Sequence, residues 1–313
     1  MHDMQFFIQD NTIFYPNVTD YDLGETFLCG QAFRFDEYDG GFKGFIGKQL
    51  CHITLTCDNN ADIADCKTGT ADADSAVGAD NTKGTAQAQK GGTLAVKLLH
   101  TQPTEELAQK IGEFLSLDMD YTALKKQFSQ DETVAKAIRF APGIRVLNQD
   151  FFETLITFII SQNNNIPRIK QLCDRLGRNY GTKVGDSFAF PTAEQMKDIT
   201  EQDFKDMKFG FRAKYLTDAV AKVLDGTIDE TTVKSLPYEQ AQKYLMQIKG
   251  VGPKVADCVL LFSCRQYESF PKDVWIKKAM AQLFPKGFPD CCKGYEGIAQ
   301  QYIFHYARFN LKD

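Results

Sequence analysis

The chain has 313 residues, of which 43% are hydrophobic and 25% are charged, and its formal net charge is −5. This length can hold two or three domains with substantial cores. No apolar run approaches a membrane span, and residues 1–11 lack the basic and apolar regions of a signal peptide. The nine cysteines lack zinc-finger spacing, which favours reduced core thiols over a disulfide framework. These features argue against a membrane-spanning or disulfide-stapled protein and predict a cytoplasmic location.

The first part of the chain predicts β-strands. Short segments rich in aromatic residues and threonine lie at residues 5–8, 12–15, 32–35 and 53–56, with Asp-Asn, Asp-Gly-Gly and Gly-Lys turn signals between them. Residues 57–95 differ, because they contain no aromatic residue and carry six acidic residues against three lysines. Such a composition cannot bury a core, so we expect a disordered or loosely held insertion between two strands.

From Thr104 onward the pattern is helical. Asp150, with an acidic residue three positions later, marks the start of an apolar helix over residues 151–160. Pro237 marks the start of a later helix, and a last helix is expected over residues 294–309. The predicted fold class is α+β, with an N-terminal antiparallel β-sheet domain followed by segregated helices. We place the sheet domain at residues 1–110 and the helical domains at residues 111–313.

The most informative stretch is the hairpin Lys249-Gly250-Val251-Gly252-Pro253, which joins two helices between about residues 238 and 265. Its glycines allow a tight connection and a close approach of backbone to a ligand. The N–H groups that open the second helix favour an anion such as phosphate. This pattern is typical of a helix-hairpin-helix element, which grips the DNA backbone without reading bases. Although the net charge is negative, residues 241–313 hold eleven Lys/Arg against six Asp/Glu, and DNA binding depends on such a local balance.

Two residues beside the hairpin add chemistry. Lys254 lies at the mouth of the second helix, where the positive end of the dipole disfavours the ammonium form, so it can act as an amine nucleophile. Asp273 follows nineteen residues later, just before another helix. Taken singly, a solvated lysine and an N-capping aspartate are the preferred interpretations. Together, Gly-Val-Gly-Pro-Lys-Val-Ala-Asp and Pro-Lys-Asp-Val closely resemble the hairpin, lysine and downstream aspartate of the helix-hairpin-helix DNA glycosylases, and most closely those of the 8-oxoguanine DNA glycosylase/lyases.

This resemblance implies a catalytic pair, Lys254 and Asp273, and a pocket for a flipped base. Residues 29–34, Cys-Gly-Gln-Ala-Phe-Arg, look like the family's Gly-Gln-Ser/Ala-Phe-Arg motif, in which the carbonyl of Gly30 would accept the N7 hydrogen of 8-oxoguanine. Gln300 would read the Watson–Crick edge of the base, between Phe304 and Cys258 on its two faces. The competing interpretations are a turn glycine and ordinary core positions for the phenylalanine and the cysteine.

The same resemblance assigns residues to the strand opposite the lesion. Asn163, in a run of three asparagines, would fill the space left by the extruded base, although capping is the alternative for at least one of the three. Arg168 and Arg212 would contact the unpartnered cytosine, since arginine offers donors to its O2 and N3 acceptors. Phe211 would be an aromatic wedge between base steps, and a core aromatic is an equally good interpretation.

The remaining implications concern the DNA backbone and cofactors. Gly250, Gly252 and Val255 would hold the backbone. No cofactor and no metal site are expected, although a monovalent cation among the hairpin carbonyls, as in relatives of this element, is compatible with the sequence. No cysteine cluster in the last quarter has the spacing of an iron–sulfur site. The resemblance covers residues 23–308 without the insertion, and it departs at Trp275, where mammalian-type enzymes carry a histidine near the DNA phosphate.

The expected function is a bifunctional base-excision-repair glycosylase and abasic-site lyase that removes 8-oxoguanine opposite cytosine. The expected partner is double-stranded DNA containing 8-oxoguanine, bound by a monomer, with a nucleoid association in a prokaryote. Two alternatives stay open: a helix-hairpin-helix glycosylase for another damaged purine, and a non-catalytic DNA-binding protein that keeps the hairpin for phosphate contact.

Overall fold

A computed structural model of the chain describes residues 4–57 and 92–311. An antiparallel sheet is followed by helices, which confirms the predicted α+β class. The sheet has the strand order β1-β2-β6-β5-β4-β3, and every neighbouring pair is antiparallel. Its strands are β1 (Phe7–Gln9), β2 (Thr12–Val18), β3 (Phe35–Tyr38), β4 (Gly41–Ile46), β5 (Gln49–Cys57) and β6 (Gly92–Leu98).

Two boundaries in the sheet differ from the sequence prediction. The predicted strand at residues 32–35 is wrong except for Phe35, because the preceding Gln31 is tied into a turn by its own side chain. The predicted insertion at residues 57–95 is too wide. Cys57 pairs with Gly92, and residues 92–95 belong to β6. The rest of that predicted insertion, residues 58–91, lies outside the described residues.

Within the described residues thirteen α-helices occur, twelve of them after the sheet. They are α1 (Leu23–Phe27), α2 (Glu105–Phe114), α3 (Tyr121–Phe128), α4 (Glu132–Phe140), α5 (Phe151–Ser161), α6 (Ile166–Tyr180), α7 (Glu201–Asp206), α8 (Ala213–Leu224), α9 (Glu230–Ser235), α10 (Tyr238–Leu245), α11 (Pro253–Ser263), α12 (Val274–Leu283) and α13 (Glu296–Asn310). A short hairpin, β7 (Lys183–Val184) and β8 (Ser187–Phe188), lies between α6 and α7. The predicted Asp150 cap is confirmed, since its side chain accepts a hydrogen bond from the Glu153 amide at 2.9 Å.

The described residues bury two main hydrophobic cores. The first lies between the sheet and helices α1 and α2, with Ile53, Val96 and Ile111 fully buried. Helix α2 spans the predicted domain boundary at residue 110, and its apolar face packs in the sheet core. The second core is formed by the helices around α5 and α11, where the rings of Phe158 and Phe262 stack with centroids 5.3 Å apart.

The Gln31 side chain, in the turn that carries Gly30, connects the part of the chain that forms the sheet to the segment before α5. Its Nε2 donates to the carbonyls of Thr26 at 2.9 Å and Arg145 at 2.7 Å, and its Oε1 accepts from the Leu147 amide at 2.8 Å. Gln31 is 1% exposed, and a buried amide with all these partners holds a rigid backbone. The turn before β3 is therefore fixed in position relative to the helices.

Seven cysteines are described with free thiols, and six of these are buried, as expected of reduced core residues. Among residues 4–57 and 92–311, no helix is long and apolar enough to cross a membrane.

Candidate active site

The hairpin between α10 and α11 is a tight turn that requires glycine at one position. Gly250 has φ of +78°, and a Cβ there would come within 2.4 Å of the Tyr215 ring. The amide of Val251 donates to the Ile248 carbonyl at 3.0 Å, which closes the turn. Because a side chain at Gly250 would be strained and would also clash, the backbone follows this path against α8.

The outer side of the hairpin is open and rich in backbone donors. A Cβ at Gly252 would meet nothing within 4 Å. The first helical hydrogen bond of α11 runs from the Ala256 amide to the Gly252 carbonyl at 3.0 Å. The amides of Lys254 and Val255 precede it, so they have no acceptor within the helix and are available to an anion.

Helix α8 anchors the hairpin through Asp218. Its carboxylate accepts from the Lys249 amide and from the Lys222 ammonium, both at 2.8 Å, and Lys222 also donates to the Gln247 carbonyl. Burial acts to raise the pKa of Asp218, but these donors outweigh it and the pKa lies below its usual value. An ionised carboxylate therefore fixes the hairpin to the helix behind it.

Lys254 is half-buried at the start of α11, above an apolar wall. Its Nζ lies 5.2 Å from the centroid of the Phe158 ring on α5. Cys258 follows one turn later and is 2% exposed. Burial raises the pKa of the Cys258 thiol to about 11, and an interaction with Lys254 partly opposes this. The cysteine is therefore a neutral thiol against which the lysine packs.

Asp273 caps α12 and is within electrostatic reach of Lys254. Its Oδ1 accepts from the Ile276 amide at 2.8 Å. Burial raises the pKa of Asp273, while the Ile276 bond, the charge of Lys254 and the charge of Arg308 lower it. The amine and the carboxylate thus share one electrostatic environment, and the capping role is compatible with a chemical one.

The predicted pocket residues lie next to this pair. Gly30 has φ of +86°, and a Cβ there would lie 3.7 Å from the Phe304 ring of α13. Phe304 is half-buried rather than a core residue. Gln300, one turn earlier on the same helix, is 2% exposed and donates from Nε2 to the Pro271 carbonyl at 3.3 Å. Since Pro271 precedes Asp273 by two residues, this bond brings Gln300 to the segment that carries the Asp273 carboxylate.

Two further residues border this region. Arg308, which the sequence analysis missed, places its guanidinium carbon 5.6 Å from the centroid of the Phe304 ring. Its position one turn after Phe304 on a helix is the signal that could have found it. Trp275 is half-buried at the start of α12, with the Lys278 ammonium 5.4 Å from its ring.

The residues predicted to face the opposite strand line one open depression of about 480 Å³. Phe211 is 50% exposed, so its interpretation as a core aromatic is wrong. The lining residues are Asn163, Asn164, Asn165, Arg168, Phe211 and Arg212. Among the three asparagines, Asn165 caps α6 by accepting from the Arg168 amide at 3.0 Å.

The two arginines of this depression differ in their surroundings. Arg168 is exposed, and its Nη2 donates to the Lys208 carbonyl at 3.1 Å. Arg212 is 6% exposed, and it donates to the carbonyls of Gln162 at 2.9 Å and Asn163 at 2.8 Å. Arg212 therefore shapes the loop that carries Asn163, which has φ of +48°.

Two family models match consecutive parts of the chain. Residues 13–155 match "8-oxoguanine DNA glycosylase, N-terminal domain", and residues 156–287 match "HhH-GPD superfamily base excision DNA repair protein". The N-glycosylase/DNA lyase of Saccharomyces cerevisiae is 38% identical over 152 residues, which cover 44% of this chain and 40% of the relative. The Arabidopsis thaliana N-glycosylase/DNA lyase is 36% identical over 174 residues, covering 52% and 48%. The chain spans less than half the length of these two curated relatives.

A solved structure matches over nearly the whole length. The 8-oxoguanine glycosylase/lyase of Clostridium acetobutylicum, in complex with double-stranded DNA containing cytosine opposite 8-oxoguanine, superimposes with a TM-score of 0.80. The two sequences are 31% identical, and the match covers 99% of each chain. With this coverage and the two matched domains, the chain belongs to the 8-oxoguanine DNA glycosylase/lyase family of the helix-hairpin-helix superfamily.

Proposed function

We propose that the chain is a bifunctional base-excision-repair enzyme that removes 8-oxoguanine opposite cytosine and then nicks the strand as an abasic-site lyase. One observation carries this proposal. Lys254 and Asp273, at the starts of α11 and α12, are near enough to interact electrostatically, beside the predicted pocket residues Gln300, Phe304 and Gly30. A DNA-binding hairpin without catalysis would not need a carboxylate and an amine at the mouth of such a pocket. Because its substrate would be genomic DNA, the proposed location is the cytoplasm, with an association with the nucleoid if the source is a prokaryote.

Binding begins with phosphate contact at the amides of Lys254 and Val255. The damaged purine is then flipped out of the duplex, at a cost of roughly a few kcal/mol. The exposed ring of Phe211 stacks in place of the lost neighbour, and Asn163 fills the gap. Arg168 and Arg212 donate hydrogen bonds to the cytosine that has lost its pairing partner. Because Arg212 already gives most of its five N–H groups to backbone carbonyls, Arg168 carries the larger share of this contact.

The chemistry starts with attack of the neutral Lys254 amine on C1′ of the flipped nucleotide. The C1′–N9 bond breaks, and the purine leaves with the electron pair and gains a proton. Asp273 stabilises the positive charge that develops on the sugar and accepts the proton released by the amine. Opening of the sugar gives a Schiff base between Lys254 and C1′. Loss of a C2′ proton then expels the 3′ phosphate by β-elimination.

The test is incubation with a duplex carrying 8-oxoguanine opposite each of the four bases, with and without sodium borohydride. We expect base release, strand nicking and a covalent protein–DNA adduct, with the highest rate opposite cytosine. Lys254→Gln should abolish release and trapping while DNA binding remains. Full activity of that variant would remove Lys254 from the mechanism. An undamaged duplex is the control, and release from alkylated purines alone would point to another substrate.

A further inference from the structure

Gln301, the residue after the proposed base reader, is a second buried glutamine that the mechanism above does not use. It is 4% exposed, and its Nε2 donates to Oε1 of Gln300 at 2.9 Å. Neighbouring side chains on a helix do not ordinarily face each other. This bond is therefore a specific feature of the packing around α13 rather than a consequence of helix geometry.

The direction of each hydrogen bond in this pair follows from one fixed acceptor. The Pro271 carbonyl can only accept, so the Gln300 group 3.3 Å from it is the NH₂ end of the amide. The Oε1 of Gln300 therefore faces Gln301, which must present its own NH₂ end. The remaining oxygen of Gln301 lies 3.8 Å from Cys29 Sγ. Burial raises the pKa of Cys29 to about 12, so this thiol keeps its proton, which it shares between Gln301 Oε1 and the nearer Thr26 carbonyl at 3.2 Å.

Held in this way, the Gln300 amide has one N–H and one lone pair left for the pocket. The N–H matches a 6-oxo group, and the lone pair matches an N1–H, which is the pattern of a guanine-type edge. An adenine-type edge has a 6-amino donor and an N1 acceptor, so it would require the amide to turn over. Turning would place Gln300 Oε1 against the Pro271 carbonyl and its NH₂ against that of Gln301. A site with committed hydrogen-bonding groups strongly rejects a ligand of the wrong polarity.

We propose that Gln301 is a specificity-determining positioning residue. It locks the orientation of the Gln300 amide, so that the pocket accepts a purine with a 6-oxo group and an N1–H and rejects a 6-amino purine. The inference rests on the proposed function, in which Gln300 reads the Watson–Crick edge. It also explains why the Gln300 amide would present its donor and its acceptor to that edge in one fixed orientation.

The experiment compares single-turnover release of 8-oxoguanine and 8-oxoadenine, each opposite cytosine. The two bases share the 8-oxo group and the N7 hydrogen, so Gly30 treats them alike. Because guanine also carries a 2-amino group, 8-oxohypoxanthine, which keeps the 6-oxo group and the N1–H but lacks that amino group, is measured alongside them to isolate the six-position edge. For Gln301→Met we expect about a 10-fold slower release of 8-oxoguanine, because a buried acceptor loses its donor. We expect the ratio of the two rates to fall by a similar factor. Gln127→Met is the matched control, since it removes a glutamine that donates to the Cys291 carbonyl at 2.7 Å outside the pocket.

A second variant tests the polarity directly. In Gln301→Glu, a protonated carboxyl still donates to Gln300 Oε1, whereas an ionised carboxylate can only accept. As the pH falls, the rate at which Gln301→Glu releases 8-oxoguanine should therefore rise relative to the wild-type rate. The ratio of 8-oxoguanine release to 8-oxoadenine release should rise with it. A purely structural role of Gln301 would not produce this pH profile. If Gln301→Met does not fold, the pH profile of Gln301→Glu is sufficient to test the proposal.

The outcomes separate the two proposals. If the wild-type chain releases no 8-oxoguanine, the proposed function fails. If it does release 8-oxoguanine, but Gln301→Met keeps the wild-type ratio or Gln301→Glu shows the wild-type pH profile, the role of Gln301 fails alone.

Discussion

Asp273 has a structural role and a proposed chemical role, and two substitutions separate them. Its carboxylate caps α12 through the Ile276 amide at 2.8 Å, and the charge of Lys254 lowers its pKa against the effect of burial. Asparagine caps a helix about as well as aspartate but carries no charge, whereas alanine does neither. The chemical role should therefore be lost in both Asp273→Asn and Asp273→Ala. The helix cap should be lost only in Asp273→Ala.

The expected magnitudes differ for the two measurements. A missing carboxylate should slow base release by about 10²–10⁴-fold in both variants. Loss of the cap should cost about 1 kcal/mol of unfolding free energy in Asp273→Ala, or roughly 2–4 °C in Tm. Burial raises the pKa of Asp273, so folding disfavours its charged form at neutral pH. For that reason the neutral asparagine should not lower Tm.

The assay is single-turnover release of 8-oxoguanine opposite cytosine, with DNA affinity from fluorescence anisotropy and Tm from circular dichroism. The wild-type rate should fall on the acid side through a pKa above the ordinary aspartate value of about 3.9, because the reaction needs the carboxylate. Asp273→Asn should lose that acid limb and keep its DNA affinity. A wild-type rate in Asp273→Asn, or equal losses of Tm in the two variants, would refute the reasoning.

Three further predictions concern the wedge, the hairpin and a buried acid. Phe211→Ala should slow release roughly 10-fold from a paired lesion duplex, and less from a mismatched one whose base is already unstacked, as single-turnover rates on the two duplexes would show. Gly250→Ala should destabilise the fold by about 1–3 kcal/mol in urea unfolding, because of its positive φ and the clash with Tyr215. Gly252→Ala should leave stability unchanged, because the site is open, and weaken DNA binding measured by anisotropy. Burial raises the pKa of Glu25 to about 7, so the native state binds its proton more tightly than the unfolded chain and stability falls as the pH rises from about 4.3 to about 7. Glu25→Gln should remove this part of the fall in urea unfolding at several pH values.

Each of these has an outcome that would contradict it. The control for the wedge is Phe7→Ala, since Phe7 is 48% exposed on the sheet and should have no effect on release. Equal losses for Phe7 and Phe211, or equal effects on paired and mismatched duplexes, would refute the wedge. An unchanged pH dependence in Glu25→Gln would mean that another group titrates. A loss of stability in Gly252→Ala would contradict the open hairpin face.

The sequence was sufficient to identify the parts of the site that depend on local backbone. Gly250 and Gly252 signal a tight turn, and Lys254 and Asp273 each open a helix, so their positions follow from short-range rules. The segment at residues 32–35 was predicted wrongly as a strand, because the long-range bonds of Gln31 decide its backbone. No local propensity reports such bonds.

Exposure could not be predicted from the sequence either. Phe211 and Phe304 occur among helical residues, where an apolar side chain is ordinarily buried. Phe211 is nevertheless half-exposed, and Phe304 is half-buried beside Gly30. Arg212 was expected to point at DNA, and most of its donors are turned to the loop behind it. Which face of a helix remains free depends on the packing of other elements, so these side chains required the folded chain.

The residues proposed to hold the base come from two distant parts of the chain, and contacts between these parts would fix the polarity of the pocket. Gly30 and Cys29 belong to the turn that Gln31 clamps between the sheet unit and the segment before α5. Gln300 and Gln301 come from the last helix of the chain. Cys29 Sγ lies 3.8 Å from Gln301 Oε1, and Gln31 bonds the same turn to the segment before α5, so a movement of either part would break buried contacts. The proposed selectivity for one purine edge would thus depend on the contact between this turn and α13, whereas the proposed amine and carboxylate lie at helix ends within the helical part.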